Sequence, residues 1–232
     1  MLVSNMGTVK AISFDGDGTL WDFEKVMRQS LQHVLVELEQ MDPQAAAMLS
    51  IGRMVEIRNG VATELKGRVT NLEAIRLEAF RRTLDIIGKP NDVLANHLNA
   101  VYLKHRFEDI QLFDDVLPVL KTLRERYTIG LLSNGNSYPD RIGLTGIFRF
   151  VVFSEDYGIE KPDPRIFQIA VEKAGCSKDQ LLHVGDSVAN DVGGARSAGI
   201  KCVWLNRART ANTLGVTADF EIRSLWELLS FV

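Results

Sequence analysis

From Tyr127 onward, short aliphatic and β-branched runs alternate with stretches of helical character, and few arrangements can bury such a pattern. Ile129 to Leu132, Phe150 to Phe153, Leu181 to Val184 and Cys202 to Leu205 read as strands. Apolar strands separated by helices are joined by crossovers, which places them side by side in a parallel sheet covered by helices. The punctuation between them agrees. Asp163-Pro164 reads as a helix cap followed by a first-turn proline, Gly175 as the stop of that helix, and Ser177 with Gln180 as a capping box. A helix from about Val188 to Ala198 should end at Gly199, directly before another strand.

Residues from about Glu24 to Glu108 follow another rule. Met27, Leu31, Val34, Leu35 and Leu38 recur at helical spacing, as do Leu77, Phe80, Leu84 and Ile87, and Gly88 and Pro90 close the second series. Strand-like runs are nearly absent. The simplest organisation is an α/β core built from residues 1–22 and 110–232, with residues 23–109 inserted after the first strand as four or five helices.

The 232 residues can bury one sizeable core plus a smaller inserted unit. Hydrophobic residues make up 46% and charged residues 25%, the balance of a globular chain rather than a disordered one. A formal net charge of −3 offers nucleic acid no attraction. No apolar run approaches the ~18 residues of a membrane span, and the first ten residues lack a basic segment followed by an apolar one, so a cytoplasmic location without membrane association is expected. Met6 suits an alternative start, with Met1 to Asn5 a leader of no functional weight. Cys176 and Cys202 have no ligand spacing around them and are expected to be reduced and buried.

The chemistry gathers at the ends of strands, where open α/β sheets place their ligands. Asp15-Gly16-Asp17-Gly18-Thr19-Leu20 follows the apolar run Val9 to Phe14, so a strand end delivers two carboxylates two residues apart. Carboxylates and backbone carbonyls are hard oxygen ligands of the kind Mg2+ prefers, and a carboxylate can also attack phosphorus. Ser133-Asn134-Gly135-Asn136 adds a hydroxyl and loop amides, Lys161-Pro162-Asp163-Pro164 an ammonium, and Gly185-Asp186 with Asp191 two further carboxylates.

In this order the four clusters resemble those of the haloacid dehalogenase superfamily, in its phosphatase-like branch with a helical cap. The resemblance spans the chain and implies a Rossmann-like three-layer α/β/α core with the cap closing over the site. It implies a Mg2+-dependent phosphomonoester hydrolase acting on a small phosphorylated metabolite. Carried over residue by residue, it makes Asp15 the nucleophile that forms an aspartyl-phosphate, and Asp17 the acid that protonates the leaving alcohol and then activates water. It gives the metal to Asp15, the main-chain carbonyl of Asp17, and Asp186, supported by Asp191. Ser133 and Asn134 would bind the phosphoryl group, and Lys161 would offset its charge. Gly16 departs from the larger apolar residue that many relatives carry between the two aspartates.

Plainer roles stand beside these. Asp-Gly pairs end many strands, Asp186 and Asp191 could cap the following helix, and a lone lysine usually faces water. His183, inside an apolar run, reads as a strand histidine satisfied by a neighbour, and His33, His97 and His105 show no ligand spacing. Arg53, Arg58, Lys66 and Arg68 read as a solvated face, and Trp21 as a residue that gates the site or packs on the cap. Alternative activities of the same scaffold are 2-haloacid dehalogenation, in which Asp15 would attack carbon and neither Asp17 nor Mg2+ is needed, and sugar phosphomutation. A non-catalytic metal-binding regulator is the third alternative. The sequence does not distinguish a monomer from a homodimer.

Overall fold

The computed structural model describes residues 8–65 and 67–232; the start at Met6, the leader before it and Lys66 lie outside the described residues. Strands form where the apolar runs stand: β1 (Ala11–Phe14), β2 (Thr128–Ser133), β3 (Phe150–Phe153), β4 (Leu181–Gly185) and β5 (Lys201–Leu205). A further strand, β6 (Phe220–Ile222), pairs among the described residues only with β5, at the sheet edge. Three residues with a glutamate in the middle carry too little apolar pattern to announce a strand. Every pairing is parallel, in the order β3-β2-β1-β4-β5-β6. All four β1 residues are buried, as a central parallel strand requires. Because β2 and β4 flank β1, the chain order reverses there and opens a crevice at the carboxyl ends of the strands.

The inserted region holds α1 (Phe23–Met41), α2 (Pro43–Ala47), α3 (Ile51–Leu65), α4 (Leu72–Ile86) and α5 (Asp92–Glu108). The stripes read from the sequence meet inside it: Met27, Leu31, Val34 and Leu38 of α1 share one cluster with Phe80 and Leu84 of α4 and Leu98 and Tyr102 of α5. Asn71 and Asn91 cap α4 and α5 by accepting from the N–H groups of Ala74 and Leu94. Backbone contacts divide the chain into two compact units, one ending at Asp22 and resuming over Leu112–Val232, the other spanning Phe23–Gln111.

Around the sheet lie α6 (Val116–Leu123), α7 (Ser154–Tyr157), α8 (Pro164–Ala174), α9 (Gly193–Ala198) and α10 (Leu225–Leu228). Asp163 caps α8, Pro164 opens it, and Gly175 ends it in the left-handed conformation, as read from the sequence. The Ser177–Gln180 capping box is present on a short 3-10 turn. Two expectations are corrected. Val188–Val192 is a π-helical turn ahead of α9 rather than the first turns of one regular helix. Cys202 is buried in β5, whereas Cys176, in the turn after α8, is only partly covered; both are free thiols. None of the described helices is long and apolar enough to cross a membrane.

Candidate active site

Asp15 continues the register of β1, its N–H donating to Val184 O at 2.8 Å, and the chain then turns sharply. Thr19 and Leu20 donate to Gly16 O, and Gly18 adopts φ +85°, a conformation that L side chains rarely take. There is also no room for side chains here. A Cβ on Gly16 would lie 2.6 Å from the Trp21 ring, and one on Gly18 would lie 2.5 Å from Asp186 Oδ2. Trp21 is fully buried and its indole N–H donates to Asp17 Oδ1 at 2.6 Å. It is therefore neither an open gate nor a spectator: within its own unit it fills the space above Gly16 and braces Asp17.

The Lys161 ammonium is buried against the ends of β1 and β2. It donates to Asp15 Oδ1 at 2.6 Å, Asp191 Oδ1 at 2.6 Å and Leu132 O at 3.0 Å. Burial opposes its charge, but the two carboxylates outweigh that penalty and hold its pKa above the ordinary lysine value. Asn134 fixes the backbone beneath it. Its side-chain oxygen accepts from Lys161 N–H at 2.8 Å and Ser154 Oγ at 2.6 Å, and its amide nitrogen donates to Lys161 O at 2.9 Å. The Asn134 side chain thus binds protein, so its part in holding a phosphoryl group would fall to its backbone. Ser133 is buried, and its hydroxyl accepts from Gly135 N–H at 3.0 Å. A Cβ on Gly135 would stand 2.7 Å from Asp17 Oδ2 and 3.3 Å from Ser133 Oγ, so the acid and the hydroxyl face one point.

Asp191 reaches this point because the wide turn after β4 directs it inward. Its Oδ1 accepts from Lys161 and from His183 Nε2 at 3.0 Å, and its Oδ2 accepts from Ser187 N–H at 2.9 Å. Burial would raise its pKa, but Lys161 and His183 hold it well below the carboxylate range. His183 is the satisfied strand histidine that its setting predicts. With Nε2 donating to a carboxylate, the neutral ring accepts from Ser13 Oγ at Nδ1, 2.9 Å away, and burial keeps its pKa low.

Asp15, Asp186 and Asp191 each place a carboxylate oxygen within 4.8 Å of the others. Burial, with the charges of Asp191 and Asp186 added and Lys161 opposing, holds the Asp15 carboxyl well above its ordinary value. Burial and Asp191 likewise push Asp186 up to about 6. Asp15 and Asp186 resist ionisation while sharing one buried ammonium with Asp191, and acids held in this way favour a cation. The donors are hard oxygens, so a Mg2+-type ion fits them.

Some supporting contacts carried no sequence signal, although Thr19 itself stands in the Asp15–Leu20 motif. Thr19 Oγ1 donates to Asp186 Oδ1 at 3.3 Å. Arg207 donates to Thr19 O at 3.0 Å, pairs with Asp115 at 2.8 and 2.9 Å and lies 4.2 Å over the Phe113 ring. A lone Arg after the last long strand has no spacing that ties it to residue 19. In the helical unit, Arg53 pairs with Glu56, Arg58 donates to Asn59 while lying over Phe23, and Arg68 is exposed.

Residues 9–199 match the model of the haloacid dehalogenase-like hydrolases, and the chain belongs to that superfamily. A glyceraldehyde 3-phosphate phosphatase of Methanopyrus kandleri is 28% identical over 97% of both chains. A 2-haloacid dehalogenase from Pseudomonas syringae pv. Tomato superposes with a TM-score of 0.81 at 30% identity, covering 96% of this chain and 97% of its own. The putative HAD-hydrolase YfnB of Bacillus subtilis, crystallised with magnesium, superposes with a TM-score of 0.75 at 25% identity, covering 96% and 97%. The inserted helices α1–α5 are typical of a cap in this superfamily.

Proposed function

We propose that the chain is a Mg2+-dependent phosphomonoester hydrolase acting on small phosphorylated metabolites. One observation carries this reading: Asp15 and Lys161 are in direct contact, Asp186 and Asp191 lie within reach of Asp15, and Asp17 Oδ2 and Ser133 Oγ border the same point beside Gly135. Asp15, Asp186 and the main-chain carbonyl of Asp17 would hold the ion, with Asp191 in support. When bound, Mg2+ supplies positive charge that favours ionised Asp15 and screens a phosphate dianion.

A carboxylate oxygen of Asp15 attacks phosphorus, and the ester P–O bond breaks as Asp17 gives its proton to the leaving alcohol. Asp17 then takes a proton from water, which attacks the aspartyl-phosphate and releases inorganic phosphate. Ser133 and the backbone of Asn134 position the phosphoryl oxygens, and Lys161 offsets their charge. The phosphatase from M. kandleri supports a small phosphorylated substrate.

Dehalogenation is the competing reading, favoured by the likeness to the P. syringae enzyme. Asp17, held by Trp21, argues for the phosphatase, because attack on carbon needs no such acid. A panel of triose, sugar and nucleotide monophosphates with Mg2+ or with EDTA separates the two. Phosphate release that EDTA abolishes is expected, while halide release from a 2-haloacid that EDTA leaves intact would reverse the assignment. Asp15→Asn should reduce phosphate release to background while the circular dichroism spectrum stays unchanged; retained Mg2+-dependent turnover would remove Asp15 as nucleophile.

A further inference from the structure

His33, His97 and His105 carry no ligand spacing in the sequence, yet folding brings two of them together. His33 lies on α1, with Leu31 and Val34 beside it buried in the helical core, and His105 lies in the last turn of α5. The two imidazole rings stack with centroids 3.6 Å apart and planes 5° from parallel. Both face one carboxylate. His105 Nδ1 stands 2.9 Å and His33 Nε2 3.6 Å from Asp109 Oδ2, and one donor atom of each residue lies within 4.8 Å of the other two. Asp109 caps α5, its own N–H donating to His105 O at 2.9 Å, so its position is set by the helix end.

We propose that His33, His105 and Asp109 form a metal site of the helical unit, distinct from the aspartate cluster and selective for a borderline divalent ion such as Zn2+. Two imidazoles and one carboxylate suit Zn2+ and disfavour Mg2+, which takes oxygen ligands. Spacing agrees as well. A tetrahedral ion with bonds of about 2.0–2.1 Å separates its donors by about 3.4 Å, and the two distances to Asp109 fall on either side of that value. The rings must fan apart for both lone pairs to meet one ion; side chains that are 49% and 22% exposed have the freedom to do so. His105 then carries its proton on Nε2, where solvent can accept the hydrogen bond. The site opens on a polar recess of about 380 Å3, which Gln29, Glu108 and Gln111 also line, leaving the remaining coordination positions to water or to a carboxylate. Such an ion would tie the end of α5 to the middle of α1.

The test uses the full chain with millimolar Mg2+ present throughout, so that Mg2+ competes for the aspartate cluster while Zn2+ is titrated. Calorimetric titration with Zn2+, and visible absorption with Co2+ as a spectroscopic substitute, should show one equivalent bound at the helical unit. His33→Gln with His105→Gln should weaken binding at least about tenfold, since disturbing even the partners of ligands costs about 10–100-fold. Asp186→Asn, which alters the other cluster, should leave binding and the Co2+ spectrum unchanged. All variants are first matched to the wild type in melting temperature without added metal. Absence of Zn2+ binding, equal binding by the double His variant, or loss confined to Asp186→Asn would each overturn the proposal.

Discussion

Trp21 supports Asp17 much as Asn134 supports Lys161: each takes up the freedom of a charged neighbour through a hydrogen bond of 2.6 to 2.9 Å. In the role proposed for it, giving and then taking a proton at one place, Asp17 gains from such a brace, because proton transfer depends on geometry before it depends on pKa. Trp21→Phe deletes the donor, together with the Cζ2–Cη2 edge of the indole that covers Gly16. It should lower kcat by roughly ten- to a hundredfold, within the range that positioned acid–base groups supply, with KM little changed. Steady-state kinetics on the best phosphate ester would show this, and an unchanged kcat would make the contact ornamental. At this scale the candidate residues were legible because the chemistry proposed for them needs particular side chains at strand ends: Asp15, Asp17, Ser133, Lys161, Asp186 and Asp191. Their partners were not. Trp21, Thr19 and Arg207 are defined by what they touch across a turn or across the sheet edge, and no periodicity records that.

Among the elements, the π-helical turn Val188–Val192 shows how a local irregularity aims a side chain. A regular helix starting at Val188 would carry Asp191 round by a different angle, whereas the wider turn returns it to His183 and Lys161. Gly185, the last residue of β4, makes room for that return, since a Cβ there would overlap the Asp191 carboxylate. Gly185→Ala should displace Asp191 and weaken its hold on the buried ammonium. Overpacking of this kind costs about 1–3 kcal/mol, so denaturant titration should show a loss of that order together with a fall in the proposed phosphatase activity. Wild-type stability in this variant would mean that Asp191 can give way without consequence. The long elements were readable from their stripes and caps, as α1, α4 and α8 demonstrate. The π turn and β6 were not, because one is a response to side-chain contacts and the other is an edge strand of three residues held by its neighbour.

For the molecule as a whole, the buried acids make stability depend on pH and on metal together. The Asp186 carboxyl, raised from an ordinary 3.8 to about 6, binds its proton more tightly in the folded than in the unfolded chain. Without metal, stability therefore falls as pH rises through the window from about 4 to 6, because the folded state then gives up a proton that the unfolded state has already lost; the full difference is on the order of 3 kcal/mol. A cation that pairs with the ionised acids removes this loss. Mg2+ should accordingly raise the melting temperature by more at pH 8 than at pH 5, by a few degrees, and EDTA should restore the steeper pH dependence. Equal shifts at both pH values would separate the ion from these carboxylates.

The order of apolar runs, helical stripes, caps and strand-end carboxylates determined an α/β chain with inserted helices and pointed to its candidate site groups, because burial and hydrogen-bonding demands act locally and leave periodic marks. Tertiary structure alone decided which groups share a charge. Lys161 stands between Asp15 and Asp191, and two histidines 72 positions apart in the chain meet on one aspartate. The reason is the reach of the forces. Electrostatic and hydrogen-bond contacts over a few ångströms depend on distance in space, and the chain's own numbering is blind to that distance until the sheet and helices have packed.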